Sequence, residues 1–436
     1  MVQTTMSHRA AAISLRLLIW LSLVFATFLR NGWAEAGVLM LTLSAVGLLI
    51  LRKRPEGAPD WTRQDTLMSL AFVSFVGFKA LSALWSPSAY ESISNAVMHL
   101  PLLLWPLLLV VWRRLDMDLK TVRLGLAWAL VFLAAWVLLR HLLGDEVPIR
   151  ALRNVSNLNT GVLAQLAVVG AMMCVAPWAI GSQARGEESQ RFRILMLAAY
   201  LGGLLVVLVT VRRTEWLGFV VVSLALLIWR FRRGVSARAG LLIASVVIAA
   251  VLVGGYFMQA KFLLAWAQIE GYLEKGANDP SALYTSVGLR LEFYYRGLLS
   301  LLENPWLGVG AGVKPADLQY LVPSHLPIEG HRHFHSSYLQ ILVEGGLVFG
   351  LLTVVAVLYV WRKTILQLYA RRPTEAVTAA TVWGCYALSG VTGEALMYGA
   401  TTAFFAIATS LTWAWASKAS VAVDSVAMDA GGAPSP

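Results

Sequence analysis

Apolar residues along the 436-residue chain gather into long blocks, and the charged residues are confined to the gaps between them. Many blocks approach the ~20 residues that a helix needs to cross the hydrocarbon core of a bilayer. By length and apolarity the pattern predicts about twelve spans: 11–29, 37–51, 67–84, 95–112, 122–139, 161–180, 194–211, 216–228, 241–257, 346–360, 376–392 and 399–415. The pattern changes between residues 258 and 334. There KFLLAWAQIEGYLEK (261–275) and LRLEFYYRGLLSLL (289–302) are amphipathic and carry Trp and Tyr, as helices lying on a membrane surface do, with a turn expected at GANDPS. The expected organisation is spans in 1–257, a loop with amphipathic helices in 258–334, spans again in 335–416, and a disordered cytoplasmic tail over 417–436.

Composition sharpens this into a fold class. Hydrophobic residues make up 58% of the chain and charged ones 14%, a balance that a water-soluble domain of this size does not show. The chain is therefore expected to be an all-α integral membrane protein whose partner is the lipid bilayer, with backbone groups satisfied inside helices. Block 11–29 follows a short basic segment and has no small-residue cleavage site before Arg30, so it reads as a retained helix. Cys174 and Cys385 sit in separate apolar blocks, which suggests buried small residues rather than a disulfide framework.

The net charge of +11 would suit nucleic acid in a soluble protein, but here it first reports topology. With a cytoplasmic N-terminus, the connections after the second, fourth, sixth, eighth and tenth spans carry the Arg and Lys clusters, among them Arg52–Arg54, Arg113–Arg114 and Arg371–Arg372. No nucleic-acid partner is expected. The loop at 258–334 then faces outward, and both chain ends face the cytoplasm.

Arginines that this bias would not have placed outside need a partner or a task, since a cation near a span centre costs about 2.5–3.5 kcal/mol. Arg140, Arg150, Arg153, Arg212, Arg213, Arg290, Arg296 and Arg332 are such residues. Glu292 stands four residues before Arg296, the favourable helical pairing, whereas Arg290 has only Ser286, Val287, Phe293 and Tyr294 at that spacing. Arg212 and Arg213 share a single nearby carboxylate, Glu215. Planar guanidinium forks suit phosphate, so at least one of Arg212 and Arg213, together with Arg290, is a candidate to hold an anion, and a lipid-linked pyrophosphate would bring its charge to headgroup level.

The segment HRHFHSSYLQ (331–340) opens the tenth span. An extended backbone would turn His331, His333 and His335 to one side, but no Cys or carboxylate completes a familiar zinc spacing, so no metal and no cofactor are expected. Ser337 and Gln340 read as a capping box that leaves His335 at the positive end of the helix, where the neutral imidazole can accept a proton. Glu344 is turned away from His335 on the same helix and should pack elsewhere. NPWLGVGAG (304–312) lacks the Gly-Lys-Ser/Thr of a nucleotide loop and reads as a tight crossing. Lys79, inside the third span, has no evident partner.

VRRTEWLG, SVGLRLEFYYRGL, NPWLGVGAG and HFHSSYLQILVEGGLVFG, in this order, resemble the O-antigen ligase and polymerase family of inner-membrane glycosyltransferases. The resemblance implies a fold similar to the GT-C glycosyltransferases, with about twelve transmembrane helices and a long helical periplasmic loop. It implies transfer of a glycan from undecaprenyl pyrophosphate to a sugar hydroxyl of lipid A-core, or, in a polymerase, to a second lipid-linked glycan. It makes His335 the residue that activates the acceptor, and Arg212 or Arg213 together with Arg290 the pyrophosphate ligands, with Arg332 and Tyr338 completing the substrate-binding set. A transporter would instead show inverted repeats and charges at the membrane midplane; this chain shows no such repeat, and its outlying charges gather at one membrane face, with Lys79 the exception.

Overall fold

The computed structural model describes residues 61–115, 118–143, 160–180, 188–210, 212–232, 237–321, 330–370, 372–393, 395–396 and 398–431. The expected spans at 11–29 and 37–51 lie outside the described residues, as do Arg150 and Arg153. Among those described, the elements are helical. They are α1 (Arg63–Leu81), α2 (Ala89–Met98), α3 (Trp105–Leu115), α4 (Leu119–Leu142), α5 (Thr160–Val175), α6 (Gln190–Thr210), α7 (Arg213–Arg232), α8 (Ala237–Lys275), α9 (Gly288–Glu303), α10 (Ser337–Gly345), α11 (Leu352–Tyr369), α12 (Pro373–Thr392) and α13 (Gly399–Gly431).

Among the described residues, six stretches are long and apolar enough to cross a membrane: Arg63–Leu84, Leu119–Leu139, Thr160–Ala179, Gln190–Thr210, Arg213–Arg232 and Ser337–Tyr369. A seventh arises if Ala89–Met98 and Leu100–Arg114, bent by 41°, form one broken span. Expected spans 376–392 and 399–415 are helices α12 and α13 but are not among these. The reason is visible in α13, where Thr401, Thr402, Thr409, Ser410 and Thr412 lower the apolarity and are all buried. A helix enclosed by other helices can carry hydroxyls that bond to its own carbonyls, as Thr409 and Ser410 do to those of Phe405 and Ile407.

The core is organised around α5, whose sequence is apolar on every side and almost wholly buried. It packs against α4, α6, α7 and α12, while α13 lies along α3 and α11 along α12 and α13. Tight contact with α6 depends on Gly203: a Cβ there would sit 2.5 Å from the Ala171 Cβ and 3.0 Å from the Ala167 carbonyl oxygen. Cys174 and Cys385 are both buried and free, in accord with their apolar surroundings.

Two expectations are corrected. Separate helices were expected at 241–257 and 261–275, but α8 runs unbroken through 39 residues: the residues between them, Met258, Gln259 and Ala260, are good helix formers and include no proline. At 1.5 Å per residue it is about 58 Å long, well beyond a hydrocarbon core of about 30 Å. The second correction concerns the start of α10. Its N-cap is Ser336, whose hydroxyl accepts from the Leu339 N–H, not Ser337. Ser337 donates instead to the Gly393 carbonyl, and Gln340 reaches back to Phe334, so the expected reciprocal box does not form.

The NPWLGVGAG segment is a tight crossing, as expected. Gly308, Gly310 and Gly312 all have positive φ, and the strand-like passage is tied to α10 by Val309 N–H to the Val343 carbonyl and Gly310 N–H to the Glu344 carbonyl. A Cβ on Gly312 would lie 2.6 Å from the Glu91 backbone, so a side chain has no room there.

Candidate functional site

Helix ends converge at one end of the bundle. The N-terminal turns of α5, α7 and α9, the residues just before α10 and α13, and the last turn of α6 enclose a polar cavity of about 260 Å³. Its walls include Arg212, Arg213, Glu215, Ser286, Arg290, His335 and Tyr398. Four of the expected site residues, Arg212, Arg213, Arg290 and His335, therefore share one cavity although they come from three separate parts of the chain.

Each arginine is held differently. Arg212 donates Nε and Nη2 to the Thr160 hydroxyl at 3.1 and 2.9 Å, which joins the start of α7 to the start of α5. Arg213 donates Nη1 to the Lys261 carbonyl (3.0 Å) and Nη2 to the Ser286 hydroxyl (2.9 Å), both neutral acceptors. Arg290, half-buried, makes no hydrogen bond or ion pair among the described residues, and its charge acts on Arg213 across the cavity. Three guanidinium groups thus face one carboxylate, Glu215, and the N-terminal ends of several helices add positive partial charge. The cavity is below the ~300–1,000 Å³ of pockets for drug-sized ligands. Its chemistry suits a small, multiply charged anion.

His335 has φ 56°, and it is the one non-glycine residue with positive φ among those described. Histidine tolerates this region better than most residues, yet such a backbone costs on the order of 1–3 kcal/mol and persists where the surroundings enforce it. Its carbonyl accepts from the Tyr294 hydroxyl at 3.4 Å, and its ring stacks on Phe293 at 6.0 Å with an interplanar angle of 6°. Burial pushes the Tyr294 phenol up, against the opposing effect of the Arg290 charge. The three histidines are neighbours: the His335 ring lies 4.5 Å from His333 and 6.1 Å from His331. Burial, helped by electrostatic interaction with the neighbouring His335, holds the His331 imidazole below its usual range. Among the described residues no set of three His, Cys, Asp or Glu is arranged to hold a metal ion.

Arg332 and Tyr338 stand apart from this group. Arg332 is exposed and does not line the cavity. Tyr338 donates its hydroxyl to the Ala387 carbonyl at 2.9 Å and borders a second, apolar cavity of about 380 Å³ between α1, α11 and α12. Sequence reasoning missed Thr160, Ser286 and Lys261, the anchors of the arginines. A hydroxyl or a carbonyl carries no pattern of its own, and only the fold brings these positions beside residues 212 and 213.

Residues 196–355 match the family model described as O-antigen ligase. The matched stretch contains every expected site residue, while Gly161, Val162, Gln165, Gly393 and Tyr398 of the cavity wall lie outside it. No curated protein matches the chain.

Proposed function

With that family match as the premise, we propose that the chain is an O-antigen ligase acting on the periplasmic side of a bacterial inner membrane. It transfers a glycan from undecaprenyl pyrophosphate to a sugar hydroxyl of lipid A-core. The observation that carries this reading is the shared cavity: Arg212, Arg213 and Arg290 beside His335 at one end of the bundle. A cavity of this charge and size fits the diphosphate, while the glycan and the lipid extend beyond it.

The chemistry follows from the groups present. The acceptor oxygen attacks the anomeric carbon, the bond from that carbon to the pyrophosphate oxygen breaks, and the acceptor proton passes to the His335 imidazole. Attack opposite the leaving group inverts the anomeric centre. Charge grows on the pyrophosphate as the bond breaks, and the guanidinium groups are already in place to meet it. Arg212 and Arg213 are already held by neutral partners, so little reorganisation accompanies the reaction. Both substrates are lipids confined to one leaflet, and side-by-side binding makes orientation a large part of the rate.

The test is an assay with purified protein and lipid-linked glycan, offered either lipid A-core or a second lipid-linked glycan, with and without a chelator. Transfer to lipid A-core that survives chelator and is lost in His335→Ala supports the proposal. Transfer only to the second lipid-linked glycan would replace it with a polymerase. Full activity in His335→Ala would remove the assigned base.

A further inference from the structure

Gln340 lies one turn into α10 and is buried. Its Oε1 accepts the N–H of Phe334 at 3.1 Å, and its Nε2 donates to the Val313 carbonyl at 3.1 Å and to Glu344 Oε1 at 2.8 Å. That glutamate oxygen also accepts the Gly312 N–H at 3.0 Å. The other, Oε2, receives Lys79 Nζ at 2.5 Å, and Lys79 donates as well to Asn95 Oδ1 at 2.8 Å. Lys79 and Glu344 are each 1% exposed. Neither they nor Gln340 lines either cavity, so none is placed to touch a substrate.

A buried ion pair is a poor source of net stability, because desolvation offsets most of the attraction, and its better attested use is to fix a register. Here the register concerns the loop before α10. Phe334 is fully buried and directly precedes His335, the residue in the left-handed region. Such a backbone relaxes unless the positions around it are pinned, and the Phe334 N–H is pinned by Gln340. Gln340 is in turn fixed by Glu344, Glu344 by Lys79, and the same carboxylate holds the Gly312 crossing.

We propose that Gln340 is a positioning residue for the transfer reaction: braced by the buried Lys79–Glu344 pair, it holds Phe334 and so keeps His335 turned into the arginine-lined cavity. This rests on His335 being the base of the proposed reaction. Its placement, though, is measurable without turnover.

The experiment is a double-mutant cycle of Gln340→Met with His335→Ala in the full-length protein in nanodiscs. Gln340→Met lowers kcat by about 10- to 100-fold, as misplacing a reacting group by about 1 Å does, and leaves the donor KM within about twofold. The double variant is no slower than His335→Ala alone, because a residue acting through His335 adds nothing once the imidazole is gone. Losses that multiply, an unchanged kcat, or a rise in donor KM matching the fall in kcat overturn the proposal. Gln340→Asn keeps a buried amide but withdraws its oxygen from Phe334, and it serves the same cycle if the Met variant does not fold. Carbethoxylation by diethyl pyrocarbonate, mapped by mass spectrometry, reads His335 directly. Its rate changes more than about threefold in Gln340→Met and Gln340→Asn while the rate at His331 changes less, as expected when one backbone constraint is released. An unchanged rate at His335 overturns the positioning role. If the wild-type protein shows no glycan transfer, the functional reading fails and the carbethoxylation comparison alone decides the positioning.

Discussion

Arg113 grips Asp65 with both arms of its guanidinium, Nη1 to Oδ2 and Nη2 to Oδ1, each at 2.9 Å, and both side chains are buried. The carboxylate also accepts from the Trp413 indole at 2.6 Å and the Thr62 N–H at 2.7 Å, so α1, α3 and α13 meet on one charge. Asp65 is near the start of α1, whereas Lys79 and the loops around the cavity are at its other end. Arg113→Met leaves that carboxylate buried without its cation, held only by the Trp413 and Thr62 hydrogen bonds, which costs about 3–5 kcal/mol. Thermal denaturation of the purified variant should show this loss, and the molecules that remain folded should keep the wild-type donor KM.

Arg290 is the arginine of the cavity without a hydrogen bond among the described residues, and so the one most available to a ligand. Arg290→Lys keeps the charge but loses the planar fork. Transfer should fall by about 10- to 100-fold, and by about 100- to 1,000-fold in Arg290→Ala, the range seen when a donor to a developing anion is removed. Initial rates at saturating acceptor measure it. Equal losses in the two variants would mean that charge alone does not matter at this position.

Arg332 and Tyr338 fit the motif but not the cavity. Arg332→Ala should leave transfer within about twofold, since an exposed charge contributes little. Tyr338→Phe loses one hydrogen bond to the Ala387 carbonyl, worth about 1 kcal/mol of stability, with kcat nearly unchanged. A large fall in kcat with intact folding in either variant would bring that residue back into the site.

His331 gives a dependence on acidity. Its imidazole is held below the usual range by burial and by His335, so the folded protein takes up its proton later than the unfolded chain as pH falls. Below the unfolded value of about 6.5 the unfolded state binds more protons, and stability drops as pH falls through that window. Melting temperature should therefore decline between about pH 7.5 and 5.5, and less steeply in His331→Gln. Parallel declines in the two proteins would assign the effect to other groups.

What the sequence could disclose depended on how far apart the interacting residues lie. The Arg296–Glu292 pair was legible, because a spacing of four on a helix is a local matter, and the structure has it buried at 2.7 Å. Lys79 had no visible partner, and Glu344 was correctly turned away from His335, yet nothing in a one-dimensional pattern joins positions 265 residues apart. Arg113 reads from the sequence as topological charge, and Arg123 falls in the same connection. They are buried, with Arg113 on Asp65 and Arg123 on the Cys174 carbonyl, which composition of a connection cannot reveal. The cavity's arginines were legible as a group because they broke the charge bias. Their distances were not, since those depend on Thr160 and Ser286.

The unbroken course of α8 gives Arg213 a mechanical connection. Lys261, whose carbonyl takes one arm of that guanidinium, is 24 residues above the start of the helix at Ala237, a lever of about 36 Å. A tilt of about 5° at the base sweeps its upper part by about 3 Å, as far as the hydrogen bond is long. Rocking of this one rod by that amount would break the Lys261 bond and leave Arg213 on Ser286 alone, so the position of a single long helix bears on how firmly one of the three cations around the cavity is held.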